Sequence, residues 1–347
     1  MHLRLLKIAL SAPLLAFQGC AAASLRYSID KTGLFLQEDA RINASPPNYA
    51  DVNLGLLNRT YDTDAAFDPS GQKTQWERFT NYVASLNKAA APGVSYKVLY
   101  MARHGEGYHN VAQTFYGADC WECYWSQQTG NGTTTWQDAE LTPKGYAQVR
   151  AANAFWKDTA VRAKIPFPQT FYVSPMARCL ATANETFATL GVWDKSKAFE
   201  PVVKELLRET LNACTCSWRH PKSWIHARFP SYRFEPDFSE NDVLFRPGTI
   251  TEYPNSTAQR VRVHRLLDDV FSSDNSTYIS FSTHGVVISP ILEVVGYPNL
   301  GFSLGTGQVI PVLVRADKVT DEPGGEPVVG GPVAAKSCNV CGPAGRV

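Results

Sequence analysis

The sequence lacks an excess of charge of either sign. Its 347 residues carry 33 Lys and Arg against 32 Asp and Glu, a formal net charge of +1, and no run of basic residues stands out. Proteins that bind nucleic acid or anionic membranes usually show a basic patch or stripe. The balance therefore excludes both as general partners, and any anion-binding site must be local.

The sequence also lacks an apolar run of transmembrane length. Arg4 and Lys7 precede an apolar stretch of moderate length that ends in small residues around Ala23. Polar residues and a proline interrupt this stretch, which is shorter than the roughly 20 residues that a membrane span needs. The pattern predicts a secretory signal peptide over residues 1–23 rather than an uncleaved anchor. The mature protein is then expected to be secreted, soluble and free of the membrane.

The asparagine sequons and the number of cysteines both relate to the predicted secretory route. Six N-x-S/T sequons are present, although several matches occur by chance in a chain of this length. Their asparagines are Asn43, Asn58, Asn131, Asn184, Asn255 and Asn275. Seven cysteines remain after removal of the signal peptide, and because this number is odd, one thiol is expected to stay free.

Short apolar segments alternate with helical patterns along the chain. Residues 98–101 and 278–282 are apolar and precede Gly-containing turns, as expected of buried strands. Thr-Pro at 142–143 and Ser-Pro at 174–175 are typical helix starts, and apolar residues follow each at helical spacing. The alternation predicts an α/β fold with three layers, in which helices cover both faces of a mainly parallel central sheet.

We expect one domain over residues 24–318, with a polar and aromatic N-terminal lead-in that packs on it. Residues 214–254 are dense in Arg, Pro, Trp and Phe without a clear period, which indicates an insertion that covers one end of the sheet. Gly and Pro dominate residues 319–347, and this composition predicts a flexible tail.

Two histidines directly follow predicted strands. His104 stands in Arg-His-Gly after the first strand, and His284 stands in Thr-His-Gly after the strand YISFS. Parallel sheets bind ligands at the carboxyl edge of their strands. A single histidine there would more often cap its own strand, but two of them predict one shared site. Arg178, in the first helical turn after the strand FYV, would project over the same edge and suits a phosphate group.

Five sequence blocks resemble, in order, the motifs of the histidine phosphatase (phosphoglycerate mutase-like) superfamily. They are LYMARHGEGYHN, DAELTPKGYAQV, VSPMARCLATA, ELLRE and FSTHG. The blocks extend from about residue 96 to residue 295 and are far more specific than RHG alone. The segments GLFLQED and FPSYRFEPDF are most similar to the fungal phosphomutase-like branch. The block NACTCSWRH departs from that branch, so substrate preference cannot be transferred through this loop.

The resemblance implies covalent catalysis in which His104 attacks phosphorus in line and water later releases phosphate. Arg103, Asn110, Arg178 and His284 would bind the equatorial phosphoryl oxygens, whose charge must be stabilised in the transition state. No metal or other cofactor is implied, because arginines and histidines supply the positive charge. The expected partner is a small phosphorylated substrate.

Glu209, in the block ELLRE, is the general acid that the resemblance implies. This role requires a carboxyl group that is still protonated when substrate binds, so phosphate charge and partial burial should raise its pKa. Glu106 and Glu205 are the rivals of Glu209 for the role.

Three functions remain open. The favoured one is a secreted phosphoric monoester hydrolase, because a secreted protein meets phosphate esters that can be scavenged. A phosphomutase would instead pass the phosphoryl group to a second hydroxyl of a retained substrate and must exclude water. A non-enzymatic protein that keeps the fold would be expected to lose a catalytic residue, yet all are present.

Substrate specificity should lie in residues 214–254. Four basic residues in or near this segment are candidates for contacting a second anionic group, and a solvated basic face is the alternative. They are Arg208, Arg219, His220 and Arg228.

Two cysteine pairs should lie near the rim of the site. Cys120 and Cys123 follow the RHG loop, whereas Cys214 and Cys216 follow the ELLRE block. We expect disulfides between these two pairs, because Cys214 and Cys216 are too close in sequence to pair comfortably with each other. A zinc ion held by all four is the alternative, which the secretory route disfavours. The two tail cysteines would close a small loop or pair between chains.

Overall fold

The computed structural model describes residues 25–41, 48, 50–190, 199–301, 303–319, 329–338 and 340–342. The predicted signal peptide and the sequon residue Asn43 lie outside this range, as does part of the predicted tail. Within the range, no helix is both long enough and apolar enough to cross a membrane.

A seven-stranded sheet organises the fold. The strands in chain order are β1 (Leu25–Ser28), β2 (Val94–Arg103), β3 (Thr170–Val173), β4 (Val202–Val203), β5 (Arg233–Phe234), β6 (Thr249–Ile250), β7 (Tyr278–Thr283), β8 (Val309–Lys318) and β9 (Val333–Ala334). The sheet has the order β1-β8-β2-β7-β3-β4-β5, and β6 pairs separately with β9. Strands β2, β7, β3, β4 and β5 are parallel, whereas β8 is antiparallel to β1 and β2. The predicted α/β fold with a mainly parallel sheet is confirmed.

Helices lie around this sheet. In chain order they are α1 (Asp64–Phe67), α2 (Gln75–Ala89), α3 (Tyr108–Tyr116), α4 (Ala118–Cys123), α5 (Pro143–Ala154), α6 (Ala160–Ala163), α7 (Ala177–Phe187), α8 (Lys222–Arg228), α9 (Thr257–Ser273) and α10 (Gly285–Val294). Helix α5 begins where the sequence predicts, because Thr142 Oγ1 accepts a hydrogen bond from Gly145 N at 3.0 Å. Helix α7 begins later than its Ser-Pro signal, since Ser174 uses its hydroxyl on His284 instead of capping the helix.

The register of the strands brings two chain segments together. Arg103, at the end of β2, pairs with Thr283, at the end of β7. On the other side of β7, Ser282 pairs with Val173, at the end of β3. Because parallel strands end at one edge, the residues that follow β2, β7 and β3 emerge side by side. This edge is the one at which the sequence predicts an anion site.

The segment 214–254 is joined to both sheets. It contains α8, places β5 at the edge of the central sheet and supplies β6, which pairs with β9 from the tail. Gln127 Nε2 also donates a hydrogen bond to the carbonyl oxygen of Lys336 at 2.7 Å. The described part of the tail is therefore attached to the domain.

The predicted cross-pairing of the cysteines is wrong. Disulfides join Cys120 to Cys341 and Cys123 to Cys338, so the tail cysteines bind α4 instead of each other or another chain. Cys214 pairs with Cys216, because a tight turn over 215–217 brings their Cα atoms to 5.1 Å. The prediction of one free thiol is confirmed within the described chain: it belongs to the buried Cys179.

Candidate active site

The two strand-end histidines meet at the edge of the sheet. The backbone N–H of His104 donates a hydrogen bond to the carbonyl oxygen of Thr283 at 3.0 Å, which extends the pairing of β2 with β7 by one residue. The rings of His104 and His284 lie 5.1 Å apart between centroids, in an edge-to-face arrangement. The structure therefore brings together two residues that are 180 positions apart in the sequence.

His104 is held as a neutral imidazole with one free nitrogen. Its Nδ1 lies 2.7 Å from the carbonyl oxygen of Gly105, and because a carbonyl only accepts, Nδ1 must carry the proton. Burial holds the pKa of His104 well below its ordinary value, and the positive charge of Arg178 acts in the same direction. The lone pair on Nε2 is therefore available to attack an electrophile across the physiological pH range.

Gly105 allows the loop after His104 to approach α5 closely. A Cβ atom at this position would lie 2.6 Å from the carbonyl oxygen of Gly145, which is too close for any side chain. The N–H of Gly105 donates a hydrogen bond to Thr182 Oγ1 at 3.1 Å, and this hydroxyl donates to the carbonyl oxygen of Arg178. Thr182, which sequence reasoning missed, thus connects the His104 loop to α7.

Arg178 supplies a buried positive charge beside both histidines. Its Nη2 lies 3.3 Å from Nδ1 of His284 and 3.4 Å from Oε2 of Glu209, and its Nη1 donates to the carbonyl oxygen of Cys216 at 3.0 Å. The Nε of Arg178 is buried and has no hydrogen-bond partner among the described residues. An unpaired guanidinium donor in a buried site is a ready ligand for an anion.

Glu209 faces the same cluster. Its Oε2 lies 3.2 Å from Nδ1 of His284, and its Oε1 accepts a hydrogen bond from its neighbour Thr210 N at 2.9 Å. Burial alone would raise the pKa of Glu209, but His284 and Arg178 outweigh it and hold the pKa well below the ordinary value. The expectation of a raised pKa is therefore not met in the protein without phosphate, where Glu209 is a carboxylate.

His284 is oriented by three groups. Its Nε2 lies 2.9 Å from the hydroxyl oxygen of Ser174, while Nδ1 faces Glu209 and Arg178. Burial lowers its pKa to about 4, although the nearby carboxylate of Glu209 acts in the opposite direction. Ser174, which sequence reasoning assigned to helix capping, is a positioning residue for this ring.

The other two predicted phosphate ligands, Arg103 and Asn110, each form a hydrogen bond to the backbone. Nη1 of Arg103 donates to the carbonyl oxygen of Leu304 at 2.7 Å, and its Nε is buried without a hydrogen bond in the described chain. Asn110 Oδ1 accepts from Gly107 N at 3.0 Å, which fixes the first turn of α3. This bond uses the oxygen of Asn110 within its own loop, so the side chain could bind an anion only through its amide N–H groups.

The rivals of Glu209 are engaged elsewhere. Glu106 accepts from Lys144 Nζ at 2.7 Å, and this hydrogen bond lowers the pKa of Glu106. Glu205 contacts Arg208 at 2.8 Å and Arg219 at 2.9 Å. Glu209 is instead paired with Arg178 and His284, which belong to the cluster around His104. This location favours Glu209 as the carboxyl group that acts on a ligand.

Two of the four basic residues proposed to bind a second anion are unavailable. The side chains of Arg208 and Arg219 are fully buried, and Arg208 also contacts Asp242. Of the other two, Arg228 pairs with Glu140 at 3.1 Å. His220 lies with its Nδ1 2.7 Å from Asp138 and its ring stacked on Trp224 at 3.8 Å.

A third histidine belongs to the site. His109, the second residue of α3, is 6% exposed, and its ring centroid lies 5.3 Å from that of His104. Sequence reasoning assigned it no role. One feature of the chain does point to His109: it lies in the first turn of a helix that begins close to His104.

The charge of the cluster fits an anion better than a metal ion. One ligand atom from each of His104, Glu209 and His284 lies within 4.8 Å of the others, a spacing that three metal ligands can adopt. Arg178, however, stands in contact with two of these three groups and carries a permanent positive charge. Repulsion by this guanidinium disfavours a cation and attracts a phosphate.

Comparisons with known proteins agree with this geometry. A family model of the histidine phosphatase superfamily (branch 1) matches residues 122–303, a range that begins after His104 and includes Arg178, Glu209 and His284. "Probable phosphoglycerate mutase" of Arthroderma benhamiae is 43% identical over 317 residues, which cover 91% of this chain and 92% of that protein. "Phosphomutase-like protein 3" of Candida albicans is 37% identical over 229 residues, covering 65% and 68%.

The chain therefore belongs to the histidine phosphatase superfamily, and its relatives include fungal phosphomutase-like proteins. Among solved structures, a mycobacterial glucosyl-3-phosphoglycerate phosphatase is 19% identical with a TM-score of 0.34, covering 62% of this chain and 96% of that chain. A phosphoserine phosphatase of Entamoeba histolytica is 20% identical with a TM-score of 0.33, covering 62% and 94%.

Proposed function

We propose that this protein is a secreted phosphatase that hydrolyses phosphate monoesters through a phosphohistidine at His104. The observation that carries this proposal is the group of contacts around His104: a neutral, buried imidazole stands beside the fixed charge of Arg178 and the pair formed by Glu209 and His284. A nucleophile, an anion ligand and a proton carrier are the three groups that this chemistry requires.

The first half-reaction transfers the phosphoryl group to the protein. Nε2 of His104 forms a bond to phosphorus while the bond from phosphorus to the ester oxygen breaks. The charge on the three equatorial oxygens is stabilised by Arg178, Arg103 and His284, and both arginines have a buried Nε without a partner in the described chain. The departing ester oxygen takes a proton from Glu209.

The second half-reaction restores the protein. A water molecule gives a proton to the carboxylate of Glu209 as its oxygen bonds to phosphorus, and the bond from phosphorus to Nε2 of His104 breaks. Because Glu209 is ionised without phosphate, its first proton must arrive with the substrate. The negative charge of the phosphoryl group raises the pKa of the carboxyl group on binding, and a monoanionic ester brings a proton of its own.

Hydrolysis is favoured over mutase activity by the surroundings of the site. A phosphomutase must retain a substrate that carries a second anionic group while the phosphoryl group changes position. Arg208 and Arg219, the buried arginines that could have held such a group, are bound instead to Glu205, and Arg208 also to Asp242. The names of the fungal relatives favour the mutase, which stays the second candidate.

Secretion is supported by the cysteine pairs as well as by the leader sequence. The pairs Cys120–Cys341 and Cys123–Cys338 span 221 and 215 positions of the chain. Disulfides of this kind form and persist in oxidising compartments and are rare in the cytosol. A signal peptide at residues 1–23 would carry the chain into such an oxidising compartment.

The decisive experiment measures phosphate release and isomerisation in the same reaction. The secreted protein and its His104→Ala variant are incubated with an aryl phosphate, an alkyl phosphate and 3-phosphoglycerate across acidic and neutral pH. We expect the wild-type protein to release phosphate and the variant to release none. Interconversion of phosphoglycerates without phosphate release would establish the mutase instead, and equal release by both proteins would remove His104 from the reaction.

A further inference from the structure

His109 lies against the candidate nucleophile without a role in the proposed reaction. The two imidazole rings are 5.3 Å apart between centroids and are tilted by 52°. His109 reaches this position from α3, a different element from those that carry Arg178, Glu209 and His284. The site therefore contains three histidines, of which the proposed mechanism uses two.

The two nitrogens of His109 have different surroundings. Nδ1 is buried and has no hydrogen-bond partner among the described residues. It packs against Gly107, where a Cβ atom would lie only 2.7 Å from it. Nε2 is not among the buried, unpaired atoms of the described chain, so it is the nitrogen that can meet a ligand.

These surroundings determine where the proton of the ring lies. A buried N–H group without an acceptor is rare in proteins, whereas a buried lone pair without a donor is better tolerated. Nδ1 therefore holds the lone pair and Nε2 holds the hydrogen. Burial, with Arg178 acting in the same direction, keeps the pKa of His109 well below its ordinary value, so the ring stays neutral.

We propose that His109 is a further catalytic residue, whose Nε2–H donates a hydrogen bond to an oxygen of the phosphoryl group beside His104. This inference rests on the proposed function. During transfer the phosphoryl charge spreads over the equatorial oxygens, and a fixed donor aimed at them stabilises the transition state. His109 exchanges no proton in this role, because a neutral imidazole is a donor of hydrogen bonds and a very weak acid.

The test compares three substitutions that separate the donor from the volume of the ring. His109→Phe keeps a ring of similar bulk without a donor. His109→Gln keeps an N–H group at about the reach of Nε2, whereas the shorter amide of His109→Asn reaches only about as far as Nδ1. Gln113→Phe, which changes an exposed residue of the same helix, is the matched control.

Two measurements are made on each folded variant: kcat and KM for an alkyl phosphate, and the dissociation constant of inorganic phosphate by calorimetry. We expect His109→Phe to lose about 100-fold in kcat, the usual effect of removing one such donor, and His109→Gln to recover most of it. His109→Asn should be as defective as His109→Phe, so it serves if the latter does not fold. Gln113→Phe should match the wild type.

Some results would overturn the inference. Equal loss in His109→Phe and His109→Gln would mean that the ring is needed only for packing, and wild-type values in His109→Phe would mean that it is not needed. Should the wild-type protein hydrolyse no ester, the proposed function fails. The phosphate affinities still decide the question for His109, because they do not depend on turnover. Weaker phosphate binding in His109→Phe and its recovery in His109→Gln would support the donor role.

Discussion

Oε2 of Glu209 lies 3.2 Å from Nδ1 of His284, in a pocket where both side chains are largely buried. Their opposite effects on each other's pKa tie the proton of the carboxyl group to the state of the imidazole. In the proposed reaction, this pair therefore determines when a proton is available to the leaving group.

Replacing Glu209 by Gln should affect an ester whose leaving group needs a proton more than an ester whose leaving group does not. We expect Glu209→Gln to lower kcat for an alkyl phosphate by about 10²- to 10³-fold, because the departing alkoxide then receives no proton. An aryl phosphate with an acidic phenol should be affected much less in the first step. The measurement is the burst of phenol release compared with steady-state turnover, and equal losses for both esters would contradict the acid role.

The buried histidines should make the protein less stable in mild acid. His104, His109 and His284 have pKa values below the ordinary value, so the unfolded chain binds more protons than the folded chain at and below about pH 6.5. The free energy of unfolding then falls as the pH falls, by up to about 1.4 kcal/mol per pH unit for each group. His264 acts in the opposite sense, because its hydrogen bond to Asp268 raises its pKa.

This pH dependence is measured by urea unfolding at about pH 7.5 and about pH 5.5 with the disulfides intact. The wild-type protein should be clearly less stable at the lower pH. His109→Phe should depend less on pH than the wild type, since one of the three groups no longer titrates. A stability that does not change between the two conditions would contradict the assignment of buried neutral rings.

Peptide mapping without reduction should recover three linked pairs and one thiol. We expect Cys120 with Cys341, Cys123 with Cys338, and a peptide that contains the pair at 214 and 216. Cys179 should resist alkylation in the folded protein, because it is buried and its pKa is raised by burial. Any peptide that links Cys120 or Cys123 to Cys214 or Cys216 would contradict this connectivity.

Removing a long-range disulfide should cost more stability than removing the local one. Replacing Cys120 and Cys341 by Ser opens a loop of 221 positions and is expected to lower the free energy of unfolding by about 2–4 kcal/mol. The matched replacement at 214 and 216 opens a loop with one residue between the cysteines. Its effect on stability should be small, as measured by urea unfolding, and equal effects of the two double variants would contradict the prediction.

Exposure should decide which sequons carry glycans. Asn58, Asn131, Asn255 and Asn275 are exposed, whereas Asn184 lies within α7 and is partly buried. A bulky glycan requires a surface position, so we expect occupancy at the exposed sites and none at Asn184. Mass spectrometry of the protein secreted from a fungal host tests this, and failure of the protein to reach the medium would contradict the export signal.

Part of the site could be predicted from the sequence, because some of its residues directly follow apolar segments that are typical of buried strands. His104 and His284 are the examples, since a strand end is a local pattern. The prediction of a mainly parallel sheet is confirmed for a related reason, since it rests on the local alternation of apolar segments with helix signals. Such local patterns can be recognised without knowledge of distant contacts.

The remaining features depend on contacts that no local pattern records. Arg208 and Arg219 look like ligands for a substrate in the sequence, but their carboxylate partners in space bury them. The disulfides between α4 and the tail likewise depend on how the chain returns to residues 120–123. No local pattern indicates a role for His109, because its burial against His104 follows from the direction in which α3 leaves the loop.

The order of the strands has a consequence for synthesis of the chain. Strand β7, which carries His284 at its end, lies between β2 and β3, although it follows both in the sequence by more than a hundred residues. During synthesis, the facing edges of β2 and β3 stay unpaired until residues 278–283 are inserted between them. A chain truncated before this point would carry His104 on an incomplete sheet without His284, so the candidate site can assemble only after residues 278–284 have been synthesised.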